Sequence, residues 1–132
     1  MGRAVVNGSY LLDTSTMIWA LENPARLSGP ARKALEKGPL VVSVVSYWEV
    51  VIKARKGLFQ IADPVSWWKR ATEFLGGSIL STRAAHISGL AALPGLHRDP
   101  FDRMLIAQAA VEGFALVSGD EMIARYSRKV VW

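Results

Sequence analysis

Ala115-Leu-Val-Ser-Gly-Asp120 decides the fold: a short apolar run, a serine, a chain-breaking glycine and a carboxylate, with the helical pattern Glu121–Tyr126 directly after it. The same plan recurs along the chain. Tyr10-Leu-Leu12 ends on Asp13 and precedes the helical pattern Ser15–Glu22, and Leu40-Val-Val-Ser43 precedes Val45–Lys56. Ser78-Ile-Leu-Ser81 precedes Arg83–Leu93, and Lys129-Val-Val-Trp132 is a fifth strand-like run. Further helical patterns cover Gly29–Lys37, Val65–Leu75 and Phe101–Glu112. Gly38-Pro39, Gly76-Gly77 and Gly113 fall where helices should stop, while Ser28-Gly29-Pro30 and Asp63-Pro64 fall where they should start. The strand runs carry little charge, as expected of strands covered on both faces. The pattern predicts an α/β domain, an open parallel sheet of about five short strands with helices on both faces.

The 132 residues fit a single domain with one hydrophobic core. An apolar fraction of 51% and a mean hydropathy of +0.21 exclude a disordered chain. No apolar run approaches the ~20 residues that span a bilayer. The stretch before Tyr10 has too short an apolar region for a secretory signal, so a cytoplasmic location is expected. With no cysteine, disulfides and thiolate metal sites are excluded. A formal charge of +5 and a pI near 9.9 suit a polyanionic partner, nucleic acid first of all.

Against that basic background, four of the eleven acidic residues sit beside core segments. Asp13 ends the first strand run, and Asp120 follows the fourth by two residues beyond Ser118. Glu49 interrupts the apolar stretch Val41–Ile52, so most of its helix is expected to be buried. Asp102 lies in Arg98-Asp-Pro-Phe-Asp-Arg103, just before Met-Leu-Ile-Ala107. Each has a purely local reading. Asp13 and Asp120 suit helix N-caps, and Glu49 suits an i,i+4 ion pair with Lys53. Asp99, before Pro100, is a natural cap that leaves Asp102 in the first turn, where the helix dipole favours an anion.

The sheet unites them. In open α/β sheets ligands bind outside the carboxyl ends of the strands, and all four acids can reach that edge. Clustered carboxylates raise one another's pKa unless a cation compensates. Mg²⁺ or Mn²⁺, with oxygen ligands and retained waters, is the matching ion. A pair of such ions ~3.5–4 Å apart suits attack of water on a phosphodiester. Ser15 and Ser118, each near an acid, could orient a carboxylate or a bound water.

Leu11-Leu-Asp-Thr-Ser15, Ser46-Tyr-Trp-Glu-Val-Val-Ile-Lys53, His97-Arg-Asp-Pro-Phe-Asp-Arg-Met-Leu-Ile-Ala-Gln-Ala109 and Leu116-Val-Ser-Gly-Asp120 occur in that order. The ordered set resembles PIN-domain proteins, specifically the VapC-type toxins of bacterial toxin–antitoxin pairs, from about Tyr10 to Trp132. The resemblance implies a PIN fold and a Mg²⁺- or Mn²⁺-dependent endoribonuclease. It places the family's acidic quartet on Asp13, Glu49, Asp102 and Asp120, its accompanying hydroxyl on Ser118, and an outer acid on Asp99. It further implies an RNA substrate, a homodimer and a small VapB-type antitoxin whose tail enters the active-site groove. Where many relatives carry His after Leu-Asp-Thr, this chain has Ser15. Residues 1–9 extend beyond the usual start, as a loose arm or a misassigned start.

Lys53, Arg98 and Arg103, with Arg55 and Lys56, are the candidates for phosphate contact; Arg103 also stands next to Asp102 and could pair with it or with Asp99. His86 and His97 share no ligand spacing and are expected at the surface or at helix ends. The adjacent Trp67 and Trp68 diverge by ~100° on a helix, so at least one should be partly exposed. In another class, a phosphoacceptor receiver domain would need an acidic pair after the first strand and an Asp after the third, and neither is present. An adhesion module's Asp-x-Ser-x-Ser fails at Met17, and a phosphatase's Asp-x-Asp fails at Ser15. A PIN nuclease of RNA processing rather than of a toxin pair is the remaining alternative.

Overall fold

A computed structural model of the chain describes residues 8–95, 99–126 and 129–132. Five strands, Tyr10–Leu12 (β1), Leu40–Ser43 (β2), Ser78–Leu80 (β3), Ala115–Val117 (β4) and Val130–Val131 (β5), pair in parallel in the order β3-β2-β1-β4-β5. The connecting helices are Thr14–Glu22 (α1), Gly29–Lys37 (α2), Val44–Arg55 (α3), Pro64–Leu75 (α4), Ala84–Ala91 (α5), Pro100–Glu112 (α6) and Glu121–Ala124 (α7), with a 3₁₀ turn at Pro24–Arg26. The parallel sheet and the expected strands are therefore present.

The pleat sorts the strand side chains into two layers. Leu11, Val41 and Leu116 pack with Phe101, Leu105, Ile106 and Ala109 of α6. Their neighbours Leu12, Leu40 and Val42 pack on the opposite layer with Met17 of α1 and with Trp67 and Ala71 of α4. Val117 joins that side through Ala20, Leu27, Ala31 and Ala34. Trp67 is fully buried with its indole N–H unpartnered among the described residues, whereas Trp68 is half-buried and stacks on Tyr47, ring centroids 4.9 Å apart. The divergence expected of adjacent helical residues is thus met by one core ring and one capped ring.

Helix α3 departs from the expectation of a mostly buried helix. Trp48 is 58% exposed and Val51 41% exposed, whereas Glu49 and Val50 are buried. The helical period explains the difference: positions 48 and 51 share the outer stripe, so the polar Glu49 faces inward while two apolar residues face out.

Glycines terminate elements where the backbone needs them. Gly76 caps α4 in the left-handed region at φ 64°, a conformation that costs a side chain little only when there is none. Gly77, next to it, lets the chain pass β2 closely: a Cβ there would stand 2.7 Å from the Leu40 carbonyl oxygen.

The order β3-β2-β1-β4-β5 contains one switch point. From β1 the chain builds outward through β2 and β3, then returns to the other side of β1 for β4 and β5. Loops leaving β1 and β4 therefore part in opposite directions, opening a crevice at their carboxyl ends. Asp13 follows β1 there, and Ser118-Gly119-Asp120 follows β4. Of the N-terminal extension, residues 1–7 lie outside the described residues, while the Ser9 carbonyl already accepts from Ala115 N–H.

Candidate active site

A cleft of about 300 Å³ opens at the switch point, and Asp13, Ser15, Glu49, Lys53, Asp102 and Asp120 line it together with Thr14, Trp19, Phe59 and Gly119. Three helix N-termini bring Asp13, Asp120 and Asp102 there. Asp13 is the N-cap of α1 and accepts from Thr16 N–H at 2.8 Å. Asp120 is the N-cap of α7 and accepts from Met122 N–H at 2.8 Å. Asp99 caps α6, accepting from Phe101 N–H at 2.9 Å and Asp102 N–H at 3.1 Å. That cap sets Asp102 in the first turn. The cap readings and the cleft reading hold together: capping fixes one carboxylate oxygen of Asp13 and of Asp120.

Glu49 arrives from the inner face of α3. Its Oε1 accepts from the Thr14 hydroxyl at 2.5 Å, and Ser46 Oγ stands 2.9 Å from the same hydroxyl oxygen. Its Oε2 accepts from Lys53 Nζ at 2.5 Å, and Lys53 Nζ also donates to Asp99 Oδ2 at 3.0 Å. Ser118 hydrogen-bonds the Asp13 carboxylate, and its Oγ accepts from Asp120 N–H at 3.1 Å, joining the two acids that follow β1 and β4.

The electrostatics follow from this crowding. Burial pushes the Asp13 carboxyl above its ordinary value despite the hydrogen bonds from Ser118 and Thr16, and the Glu49 charge adds to the rise. Asp102 is pushed up to about 8, by burial first and then by the charges of Asp99, Glu49, Asp13 and Asp120. One carboxyl thus feels every other acid of the cleft. Asp99 moves the other way: burial raises it, but the Asp102 N–H, the Lys53 ammonium and the Phe101 N–H outweigh burial and hold it low. Lys53 is held above its ordinary value, because its hydrogen bonds to Glu49 and Asp99 outweigh partial burial.

The anionic donors among the described residues that line the cleft are all carboxylate oxygens, and none of those residues supplies an imidazole. Among the described residues no three acids or histidines close a ligand shell by themselves. Mg²⁺ is commonly held by one or two carboxylates, with waters and substrate phosphates completing the octahedron, so the chemistry of an open acid cleft fits it. Asp102, pushed up by burial first and then by its neighbours' charges, is the group that a cation would relieve most.

Several residues took up positions that spacing did not foretell. Arg103 Nη1 donates to Pro94 O at 2.7 Å and contacts Tyr126 OH at 3.3 Å. His86, expected at the surface or a helix end, does cap α5 but is fully buried: Nδ1 accepts from Arg83 N–H at 3.0 Å, and Nε2 faces Glu112 Oε2 at 2.7 Å. His97 and Arg98 lie outside the described residues. Thr14, Ser46, Trp19 and Phe59 were not singled out by sequence. The signal for Thr14 and Ser46 was their closeness to Asp13 and Glu49; nothing in spacing marked the two rings.

The sequence profile described as PIN domain matches residues 10–129. The chain belongs to the PIN-domain family. This PIN domain is 33% identical over 131 residues to Ribonuclease VapC22 of Mycobacterium tuberculosis, an alignment covering 94% of this chain and 98% of that protein. Its fold is shared with a chain of DNA-bound VapBC from Salmonella typhimurium, at a TM-score of 0.68 and 16% identity over 93% of this chain and 95% of that one. It is shared as well with a chain of a toxin–antitoxin complex from Klebsiella pneumoniae, at a TM-score of 0.65 and 20% identity over 94% and 97% of the two chains. Among the described residues no helix of this PIN domain is long and apolar enough to cross a membrane.

Proposed function

We propose that this PIN domain is a Mg²⁺- or Mn²⁺-dependent endoribonuclease of the VapC toxin type, acting in the cytoplasm and silenced by a small VapB-type antitoxin. The observation that carries the reading is geometric: Asp13, Glu49, Asp102 and Asp120 line one cleft where the loops leaving β1 and β4 part, and burial with the surrounding charges pushes the Asp102 carboxyl up to about 8. A carboxylate set so strained by its own charge is built for a cation, and the likeness to a ribonuclease and to toxin–antitoxin complexes supports RNA as substrate and an antitoxin as partner. Antitoxin binding and the pairing of two copies both need apolar surface, and Trp48, Leu58, Val65 and Phe74 are exposed.

Asp13, Asp102 and Asp120 would hold the ion, and Glu49 would complete the acidic quartet around it. When bound, it lowers the pKa of a water and neutralises charge at the phosphodiester. The protein's own part is positioning. Ser118 bridges Asp13 and Asp120, and Thr14 fixes Glu49, so the carboxylates meet the substrate in one arrangement. Ser15 lies in the same wall. In the reaction the water gives up a proton as its oxygen bonds to phosphorus, one P–O bond to ribose breaks, and the leaving oxygen takes up a proton in exchange. Lys53, Arg98 and Arg103 remain the candidates for RNA phosphate contact.

The test is cleavage of purified tRNA and rRNA with and without Mg²⁺, comparing the wild type with Asp13→Asn and Asp102→Asn. Cleavage that depends on the ion and vanishes in both variants is expected. Cleavage that persists in EDTA or in both variants overturns the reading.

A further inference from the structure

We infer that Lys53 is a built-in cation of the cleft, filling the place between Glu49 and Asp99 that a second divalent ion would otherwise take, so that each chain binds one divalent ion. The inference rests on the metal-dependent reading above and sharpens it.

The geometry around Nζ is that of a bound cation. It lies 2.5 Å from Glu49 Oε2 and 3.0 Å from Asp99 Oδ2, so a cation at that point meets a carboxylate from α3 and one from the cap of α6. The site is built rather than incidental. The Glu49 side chain is only 5% exposed, and its other oxygen is already taken by Thr14. Nζ also lies 5.6 Å from the ring centroid of Phe59 and 5.7 Å from that of Phe101, distances at which an aromatic face attracts an ammonium. Two carboxylates and two rings therefore hold one ammonium at the wall of the cleft.

The consequence concerns ion number. Both Glu49 oxygens are engaged, Oε1 by Thr14 and Oε2 by Lys53, so the ammonium rather than a diffusible ion balances the charge of Glu49 in the cleft that Asp13, Asp102 and Asp120 also line. A second divalent ion would have to expel Lys53 from two charge-assisted hydrogen bonds, which are among the stronger ones proteins make. A tethered ammonium has no dissociation step and is present before substrate arrives. It can oppose negative charge gathering on a phosphate without a second ion. Glu49 then acts on the ion at a distance, through its charge and through the lysine it holds, and Lys53 is a positioning and charge-balancing residue.

Counting bound Mn²⁺ by calorimetry and by electron paramagnetic resonance tests this directly. Wild type, Lys53→Arg and Lys53→Met are compared, with circular dichroism and thermal melting to show that each is folded. One Mn²⁺ per chain is expected for wild type and Lys53→Arg, and two for Lys53→Met, in which an ion would replace the ammonium between Glu49 Oε2 and Asp99 Oδ2. A lysine that served only packing or helix stability would leave this count unchanged. Two ions in the wild type overturn the inference, as does a single ion in folded Lys53→Met. No bound Mn²⁺ together with no metal-dependent cleavage by the wild type removes the metal reading itself, a different failure from a wrong ion count. If Lys53→Met does not fold, the wild-type count alone decides.

Discussion

The Thr14 hydroxyl donates to Glu49 Oε1 over 2.5 Å, tying the first residue of α1 to the middle of α3 across 35 residues of sequence. Both partners are buried, and Ser46 Oγ stands 2.9 Å from the same hydroxyl. Thr14→Val keeps the shape and removes the donor. A buried carboxylate oxygen left without its partner costs about 1–3 kcal/mol, so chemical denaturation should show a loss of that order. Thr14→Ser should restore most of it. Because Glu49 is also the acid that holds Lys53, cleavage by Thr14→Val should fall by more than its folded fraction; unchanged stability would contradict the bond.

Asp102 should make the metal-free protein less stable as the solution becomes alkaline. Its folded-state pKa, about 8, lies above its unfolded value, so the folded protein binds the extra proton between those two values. Stability is then fullest below the unfolded pKa and declines as pH rises toward 8, where both states have lost the proton. Asp102→Asn removes the decline and should melt higher than wild type at pH 8.5 in EDTA, while failing to cleave RNA. Binding of a cation must displace that proton, so Mn²⁺ affinity should rise from pH 6 to pH 8.5. A wild-type melting temperature in EDTA that is flat over this range would refute the assignment.

The sheet was legible because its strands are short, nearly uncharged and, for the first four, separated by helical patterns, and the four acids stood out because each follows, interrupts or directly precedes an apolar run. Asp13 and Asp120 could be paired from sequence alone, since a parallel sheet sends its carboxyl ends to one edge. Their local cap readings proved compatible with the cleft, because a cap uses only one carboxylate oxygen. Glu49 was harder. An apolar stretch around it suggested a buried helix, but the helical period turned Trp48 and Val51 outward, and only the fold shows the inward stripe. Lys53 could be paired with Glu49 at i,i+4, yet its second partner, Asp99, lies 46 residues away, a separation no local pattern encodes. His86 is the same lesson in the core: a lone His in Arg83-Ala-Ala-His86 gave no hint that Glu112 would meet its buried ring.

Gly77 separates stability from activity. A methyl group there would stand 2.7 Å from the Leu40 carbonyl oxygen and 3.0 Å from its carbon. Those atoms belong to β2 and cannot swing aside as a side chain would, so Gly77→Ala should cost about 1–3 kcal/mol, as overpacking does. Residue 77 does not line the cleft. Per folded molecule, then, cleavage should be unchanged at a temperature where the variant remains native. A melting temperature equal to wild type would show that the backbone there yields easily.

The His86–Glu112 pair sets an acid limit on the fold. The Arg83 N–H donates to His86 Nδ1, so the ring proton sits on Nε2 and points at Glu112 Oε2, 2.7 Å away; the Arg83 guanidinium meets the same carboxylate oxygen. The hydrogen bond from His86 is the largest influence on Glu112, and with Arg83 it overcomes burial and holds the carboxyl below its ordinary value. A depressed carboxyl stabilises the fold in full above its unfolded pKa and loses that contribution as pH falls through the folded one. Glu112→Gln keeps the size and one acceptor but not the charge. It should therefore be less stable than wild type at pH 7, by about 1 kcal/mol, the net scale of a hydrogen bond. The gap should narrow as the solution is acidified beyond the ordinary glutamate range and through the lowered folded-state value, when wild-type Glu112 becomes neutral too. Denaturant titrations of both proteins from pH 7 to pH 3 measure that gap, and one that stays constant across the range would mean that the carboxylate's charge does not support the buried histidine.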